Sequence, residues 1–249
     1  MSRRGPGPAP SPERGPAPSP ERGAEALLAQ LQLTDSGFPS GLYTLSHGLE
    51  GYVQLRLVGA EDVRDLVSGV VRAAGTADAA ALALTHRAVA AGDWDEVVAT
   101  DRRLHAIKLT REQRTASVRT GRQVLALAGP AFASEPAERL GRLVAEGAAP
   151  GNHAVVVGAV HAGLGVPVRD AVAGDLYALA ASCASAAVRL GRSDFRRAQA
   201  LLRALRPEIV RATEAALAVR HRTELHSSTP LGDVVAAAHE RAEARLFIT

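Results

Sequence analysis

The 249-residue sequence contains one cysteine, one lysine and eight aromatic residues. The single cysteine, Cys183, excludes an internal disulfide framework and a metal site built on a cysteine cluster. With so few aromatic residues and so much alanine and leucine, the composition favours packed helices over sheets. No run of eighteen uncharged apolar residues occurs, and the first residues lack the apolar core of a signal peptide. We therefore expect a cytoplasmic protein with no membrane partner.

An excess of charge is also missing, because the formal net charge is only +3. Residues 1–23 hold four arginines and two glutamates, so residues 24–249 carry a net charge near +1, with both signs interspersed. Binding to phosphate backbones requires a clustered basic surface. The sequence therefore predicts no nucleic-acid partner.

The first 23 residues differ from the rest in composition. The unit Gly-Pro-Ala-Pro-Ser-Pro-Glu-Arg occupies residues 7–14 and is repeated at 15–22. Proline at this density prevents regular backbone hydrogen bonding, and no apolar side chains are present to form a core. We expect a disordered, proline-rich tail over 1–23, followed by one folded domain over 24–249.

Helical patterns follow one another through this domain, with glycine, proline and aspartate between them. The pattern predicts an all-α, single-domain bundle of about ten helices, in which only 155–160 is ambiguous with a strand. Residues 176–188 contain no charge and are expected to form the central buried helix. Pro130 and Pro207 are expected to mark helix boundaries, because proline disrupts a helix interior.

The helix expected over 110–128 carries a stripe of arginines. At 100° per residue, one face about 140° wide holds Arg111, Arg114, Arg119 and Arg122. The small residues Ser117 and Gly121 lie on the other side, where they would let a neighbouring helix approach closely. The stripe as a whole is interpreted as a solvated face. Arg111 and Arg114 have two further interpretations: they complement acidic groups of a partner, or they pin this helix to the 36–50 loop.

Signals of catalysis are missing. The sequence contains no Walker A motif and no Gly-x-Ser-x-Gly elbow. His239-Glu240 begins like a zinc-protease helix, but position 243 is Glu instead of the second histidine ligand. We expect no catalytic residues, no bound cofactor and no metal site, and hence a protein that is not an enzyme.

Two further segments need an explanation. The loop over 36–50 combines helix breakers with more polar side chains than a simple connection requires, and it reads either as a self-capped turn or as a functional surface. Near residue 247 the apolar Leu246 and Phe247 would fray into water. They need burial, either against a partner or on the domain itself.

These segments, in this order, resemble the UreF family of urease accessory proteins. The similarity begins with Leu-Gln-Leu-Thr-Asp-Ser-Gly-Phe-Pro-Ser-Gly at 31–41 and Ser-His-Gly-Leu-Glu at 46–50, and continues with Arg-Glu-Gln-Arg-Thr-Ala-Ser at 111–117. Ala-Ala-Val-Arg-Leu at 186–190 and Arg-Leu-Phe at 245–247, preceded by His239-Glu240, complete the pattern. The similarity covers about 27–249, and departs from the family at 191–195, where Ile-Pro-Leu-Gly-Gln is common.

The resemblance implies a non-enzymatic, often dimeric maturation factor. Such a protein would bind a UreD-type accessory protein (called UreH in some species) and recruit the GTPase UreG, so that nickel reaches apo-urease. Nickel and GTP would be handled by these partners. The candidate partner-interface residues are Ser36, Pro39, Ser40, His47, Glu50, Arg111, Glu112, Arg114, Asp233, His239, Glu240, Arg245, Leu246 and Phe247. Among them, Leu246 and Phe247 are expected to be the buried anchors for the UreD-type protein.

Other functions remain open at this point. An all-α ligand-binding or regulatory domain unrelated to urease would have an apolar cavity. A helical DNA-binding protein is disfavoured by the near-neutral domain. A GTPase regulator is close to the main interpretation, with Arg111 or Arg114 acting like an arginine finger.

Overall fold

The structure is a computed structural model that describes residues 20–227, 229–242 and 244–247. Within these residues the chain forms eleven α-helices, two short 3-10 helices (Leu42–Thr44 and Arg222–Glu224) and no strand. The α-helices are α1 (Pro20–Thr34), α2 (Leu49–Gln54), α3 (Val63–Thr76), α4 (Asp78–Ala90), α5 (Trp94–Ile107), α6 (Arg111–Phe132), α7 (Glu135–Ala145), α8 (His153–Gly163), α9 (Val168–Arg189), α10 (Phe195–Ala218) and α11 (Pro230–His239). The predicted all-α bundle is confirmed, and residues 155–160 are helical.

Side-chain caps set where several helices begin. The Asp93 carboxylate accepts a hydrogen bond from the Glu96 N–H at 3.0 Å, and the Asp194 carboxylate accepts one from Arg197 N–H at 2.8 Å. Thr110 Oγ1 accepts the N–H of Gln113 at 3.3 Å and so fixes the start of α6. Each cap satisfies one of the amides that the first helical turn leaves without a partner.

Four boundaries differ from the sequence expectation. Helix α1 begins at Pro20 rather than at residue 24, because a proline fits the first helical turn. The predicted tail otherwise falls on residues 1–19, outside the described residues. Residues 45–57, whose pattern predicts one helix, contain only the short α2, because Gly48 before it and Arg56 after it have a positive φ. Helices α6 and α10 run through Pro130 and Pro207 instead of ending there.

Packing explains why the two prolines do not end their helices. In α10, Leu205 and Ile209 are buried on either side of Pro207. In α6, the ring of Phe132 stacks on Phe38 with 6.1 Å between centroids. Proline removes one backbone hydrogen bond of the helix, and these apolar contacts on both sides offset that loss.

The centre of the bundle is α8, packed against α4. All residues of α8 from Ala154 to His161 are buried, as are those of α4 from Ala79 to Leu84. The two backbones are so close that a Cβ on Gly158 would lie 2.7 Å from the Leu82 carbonyl oxygen. The expectation that 176–188 forms the central helix is therefore wrong, because α9 is buried on one side only and leaves Tyr177 exposed.

Two helical stretches, Val63–Ala90 and Val168–Arg189, are long and apolar enough to cross a membrane by length and composition. The first is broken at Ala77, where α3 ends and α4 begins. About half of the most apolar window of each is buried inside the fold, at 50% and 44%. Buried core helices satisfy the same criterion, and this interpretation fits the packing of α4 and α9 against α8.

A buried carboxylate holds the loop that precedes α8. Asp101, on α5, accepts the N–H of Gly151 at 2.7 Å and the N–H and side-chain amide of Asn152 at 3.0 and 2.6 Å. Burial raises the pKa of Asp101, while these hydrogen bonds act in the opposite direction. The loop is thereby fixed against α6 at Gly121. A close approach to the small residues of α6 is present, but it is made by this loop and the first residue of α8 rather than by the face of a helix.

Candidate functional site

The Glu50 carboxylate forms the centre of the candidate site. Helix α2 positions it, and it is 4% exposed. It accepts the backbone N–H of Leu246 at 2.7 Å and that of Phe247 at 2.9 Å, and it also contacts the Gln54 amide at 3.3 Å. Gln54 in turn donates to the Ala244 carbonyl at 3.0 Å. The short helix α2 therefore holds residues 244–247 mainly through their backbone.

His239, at the end of α11, joins Glu50 to α6. Its Nε2 lies 3.0 Å from Glu50 Oε2, and its Nδ1 lies 3.0 Å from Glu112 Oε1. Each ring nitrogen of His239 therefore lies within hydrogen-bond distance of a buried carboxylate oxygen. The Arg245 guanidinium lies 3.5 Å from Glu112. The two buried carboxylates thus contact two basic side chains, His239 and Arg245.

Phe247 is 3% exposed, so its ring already packs inside this chain. The Arg189 guanidinium lies 4.2 Å from the centroid of the Phe247 ring and 3.9 Å from that of Tyr43. Within the described residues, Arg189 Nε and Nη2 have no hydrogen-bond partner. The guanidinium is instead in contact with the faces of the two rings, as in a cation–π interaction. Burial lowers the pKa of Arg189. The sequence left two alternatives for these apolar residues, burial against a partner or burial on the domain itself. Phe247 is buried on the domain itself, whereas Leu246 is exposed.

The arginines of α6 have separate partners. Arg111 pairs with Glu240, next to His239. Arg114 donates to the backbone carbonyls of Lys108 and Leu109, at 2.6 and 3.0 Å. Neither of these two side chains pins α6 to the 36–50 loop. The contact with this loop is made by Arg119, which donates a hydrogen bond to Thr44 Oγ1 at 2.8 Å.

The other candidates lie apart from this cluster. Ser36 and Pro39 are exposed, and Ser40 is buried, with its hydroxyl 3.4 Å from the Leu42 N–H. His47 Nε2 contacts Ser182 Oγ on α9 at 3.0 Å. Asp233 lies on α11, and burial raises its pKa. The structure thus brings together Glu50, Arg111, Glu112, His239, Glu240, Arg245, Leu246 and Phe247, and leaves the remaining six candidates elsewhere.

Sequence reasoning missed a cavity of about 780 Å³ that is lined mainly by residues of α3, α6 and α11. Its lining is largely apolar, but one region carries His47, His153 and Asp175 together with the Lys108–Asp78 pair, whose Nζ–Oδ distances are both 2.7 Å. Over 20–227, 229–242 and 244–247, no group of three or more His, Cys, Asp or Glu residues is arranged to hold a metal ion. The sequence contains no local signal that these distant residues meet.

We expect acid to destabilise the fold through its buried histidines. Burial lowers the pKa of His47 and of His161 from 6.5 to about 4. The folded chain keeps both rings neutral while the unfolded chain protonates them, so stability falls as the pH drops from about 6.5 to about 4. Each histidine contributes up to about 3 kcal/mol to this loss. Urea unfolding at a series of pH values measures it.

The variant for this experiment is His161→Leu, because His161 is fully buried on α8. His161→Leu is expected to reduce the proton uptake on unfolding by about one between pH 4 and 6.5. Equal slopes of stability against pH for His161→Leu and the unsubstituted chain would refute the assignment.

Comparison with known proteins identifies the family. The family model of UreF matches residues 57–206. The chain is 33% identical over 227 residues to urease accessory protein UreF 2 of Brucella canis, covering 89% of this chain and 91% of that protein. It is 30% identical over 222 residues to UreF of Trichodesmium erythraeum (88% and 95% covered) and 29% identical over 227 residues to UreF of Yersinia pestis (90% and 98% covered). On this match and the helical architecture, the chain belongs to the UreF family of urease accessory proteins.

Proposed function

We propose that this protein is a urease maturation factor that works as a scaffold. It binds a UreD/UreH-type accessory protein and recruits a UreG-type GTPase, so that nickel is delivered to apo-urease. In this proposal the protein is a cytoplasmic homodimer without catalytic activity of its own, and nickel and GTP are bound by its partners.

The observation that carries the proposal is the arrangement of residues 230–242 and 244–247. Glu50 and Glu112 bind His239 and the backbone of Leu246 and Phe247, while Leu231, Val234 and Leu246 are 57%, 65% and 65% exposed. Large apolar side chains that are exposed beside such anchored residues are typical of a protein-binding surface. Leu246 is therefore assigned as the direct anchor, and Phe247 and Arg245 as residues that position it.

Leu246→Asp is expected to reduce retention of the UreD-type partner by tenfold or more, because a carboxylate would be buried without a counter-charge. Leu246 is exposed in the monomer, so the fold is expected to remain intact. Co-expression with the partner and affinity purification measure the retained amount. Val210→Asp, at an exposed position of α10, is the matched control. Retention at the unsubstituted level by Leu246→Asp would show that the anchor is elsewhere.

The maturation role is tested in a host that carries a urease operon without its own UreF. Restored urease activity together with restored nickel content, in the presence of the cognate UreD and UreG proteins, supports the proposal. Residues 24–249 alone are expected to suffice, which would make the proline-rich tail dispensable. Absence of rescue by well-folded protein would refute the role.

The cavity favours a second candidate, a ligand-binding or regulatory domain. Its volume of about 780 Å³ lies in the range of small-molecule sites. A ligand that co-purifies and raises the melting temperature, without any rescue of urease, would support this candidate. An arginine-finger role has less support, because Arg111 and Arg114 both already have partners within the chain.

A further inference from the structure

The solvent-facing side of α6 forms an open groove that the scaffold role does not explain. Four arginines line it: Arg111, Arg114, Arg119 and Arg122. The other lining residues are His105, Thr115, Val118 and Gln123. Among the described residues that line the groove, none is an aspartate or a glutamate.

The four arginines are spread both along and around one face of α6. Arg111 and Arg122 lie in nearly the same direction from the helix axis and three turns apart, and Arg114 and Arg119 lie to either side of the line that joins them. From Arg111 to Arg122 the helix rises by about 16 Å, or three turns. A single small anion would reach one or two of these groups, whereas an elongated anionic segment reaches all four.

Two of the four arginines have few or no contacts within the chain. Arg111 and Arg114 are engaged by Glu240 and by backbone carbonyls, as described above. Arg119 and Arg122 are both exposed; Arg119 has the single hydrogen bond to Thr44, and Arg122 has no hydrogen-bond or ion-pair partner within the described part of the chain. The positive charges on this face repel one another, and binding of an anionic partner would reduce this repulsion.

The charge of the groove decides which molecules can occupy it. The chain's own residues 1–23 carry a net positive charge and would be repelled. A second copy pairing through the same face would bring four arginines against four. The molecules that could still bind here are anionic. The apolar side chain of Val118 among the lining residues favours a polypeptide, which can supply small apolar side chains between its carboxylates.

We propose that this groove binds an acidic segment of a partner protein, with carboxylates spaced over about three helical turns. The proposal deepens the scaffold role by naming a second contact surface and the chemistry of its occupant. Arg119 and Arg122 supply the available charge. Arg111 links the groove to the C-terminal cluster through Glu240.

The test uses the full chain and a fluorescein-labelled helical peptide of about fifteen residues with glutamate on each turn. A peptide of the same length with glutamine in those places is the uncharged control. The double variant Arg119→Glu/Arg122→Glu is compared with Arg203→Glu/Arg206→Glu, which changes the net charge equally at exposed positions of α10 with the same spacing. Arg122→Glu alone keeps the hydrogen bond of Arg119 to Thr44 and guards against misfolding.

We expect the glutamate peptide to bind at low ionic strength, more weakly as salt rises, and roughly tenfold or more weakly to the groove variant than to the α10 variant. Absence of binding, equal loss in both double variants, or equal binding of the glutamine peptide would overturn the proposal. Displacement of the peptide by inorganic triphosphate at lower concentrations than by unlabelled peptide would overturn it in favour of a phosphate-bearing ligand. Because Leu246 lies outside the groove, none of these outcomes alters the co-purification or rescue experiments.

Discussion

Replacing Glu50 with alanine is expected to release the segment around Leu246 and Phe247 and to lower the free energy of unfolding by about 3 kcal/mol. Two backbone amides would lose their acceptor, and His239 would keep only Glu112 as a partner. Amide hydrogen exchange at Leu246 and Phe247 measures the release, and urea unfolding measures the stability. The same variant is expected to lose the UreD-type partner although Leu246 is unchanged.

Glu240→Ala is the matched control for this experiment. It also removes a carboxylate from the cluster, but Glu240 is paired with the largely exposed Arg111, and such pairs contribute at most about 1 kcal/mol. Slow exchange of the Leu246 and Phe247 amides in the Glu50→Ala chain would show that the segment is held by other contacts. Equal stability losses in the two variants would contradict the central role of Glu50.

Gly121→Ala is expected to destabilise the fold by about 3 kcal/mol or to prevent folding, because there is no room for a Cβ. The added carbon would lie 2.1 Å from the Gly151 carbonyl oxygen and 3.0 Å from backbone atoms of Asn152 and His153. The loop cannot retreat, since the buried Asp101 carboxylate holds two of its amides. Urea unfolding of the purified variant measures the loss.

Gly141→Ala provides the comparison within a neighbouring helix. Gly141 lies inside α7, and a Cβ there would meet no atom within 4 Å. Alanine has the higher helix propensity, so this variant is expected to gain up to about 1 kcal/mol. If Gly121→Ala unfolds at the same urea concentration as the unsubstituted chain, then the close approach of α6 to the loop is not a requirement of the fold.

The helices could be predicted from the sequence because their signals are local. Aspartate and threonine caps such as Asp93 and Thr110 lie within three residues of the amides they satisfy. The errors arose where distant packing outweighed a local rule, as at Pro207, whose helix is stabilised by buried leucine and isoleucine on both sides. The central position of α8 was also missed, because the apolar character of an eleven-residue helix does not by itself indicate which helix is surrounded by the others.

Several residues of the candidate site could be predicted from the sequence, but the contacts between them could not. The sequence drew attention to Glu50, Glu112 and His239, but no local pattern indicates that one imidazole joins two carboxylates that lie 189 and 127 positions away along the chain. Arg189 was recognised only as part of a family motif, and its stacking between Tyr43 and Phe247 depends on three separate segments. Gln54 was missed entirely, because a glutamine on a short helix carries no distinguishing signal.

The long sequence separation within the C-terminal cluster has a consequence for synthesis on the ribosome. The Glu50 carboxylate accepts amides that are 196 and 197 residues further along the chain, so the cluster cannot close until those residues have been translated. Closure also needs α6 and α9 in place, since they supply Glu112 and Arg189. The position of Leu246 in the folded chain thus depends on segments that are translated early, in the middle and late, and it can be reached only after α6 and α9 have packed.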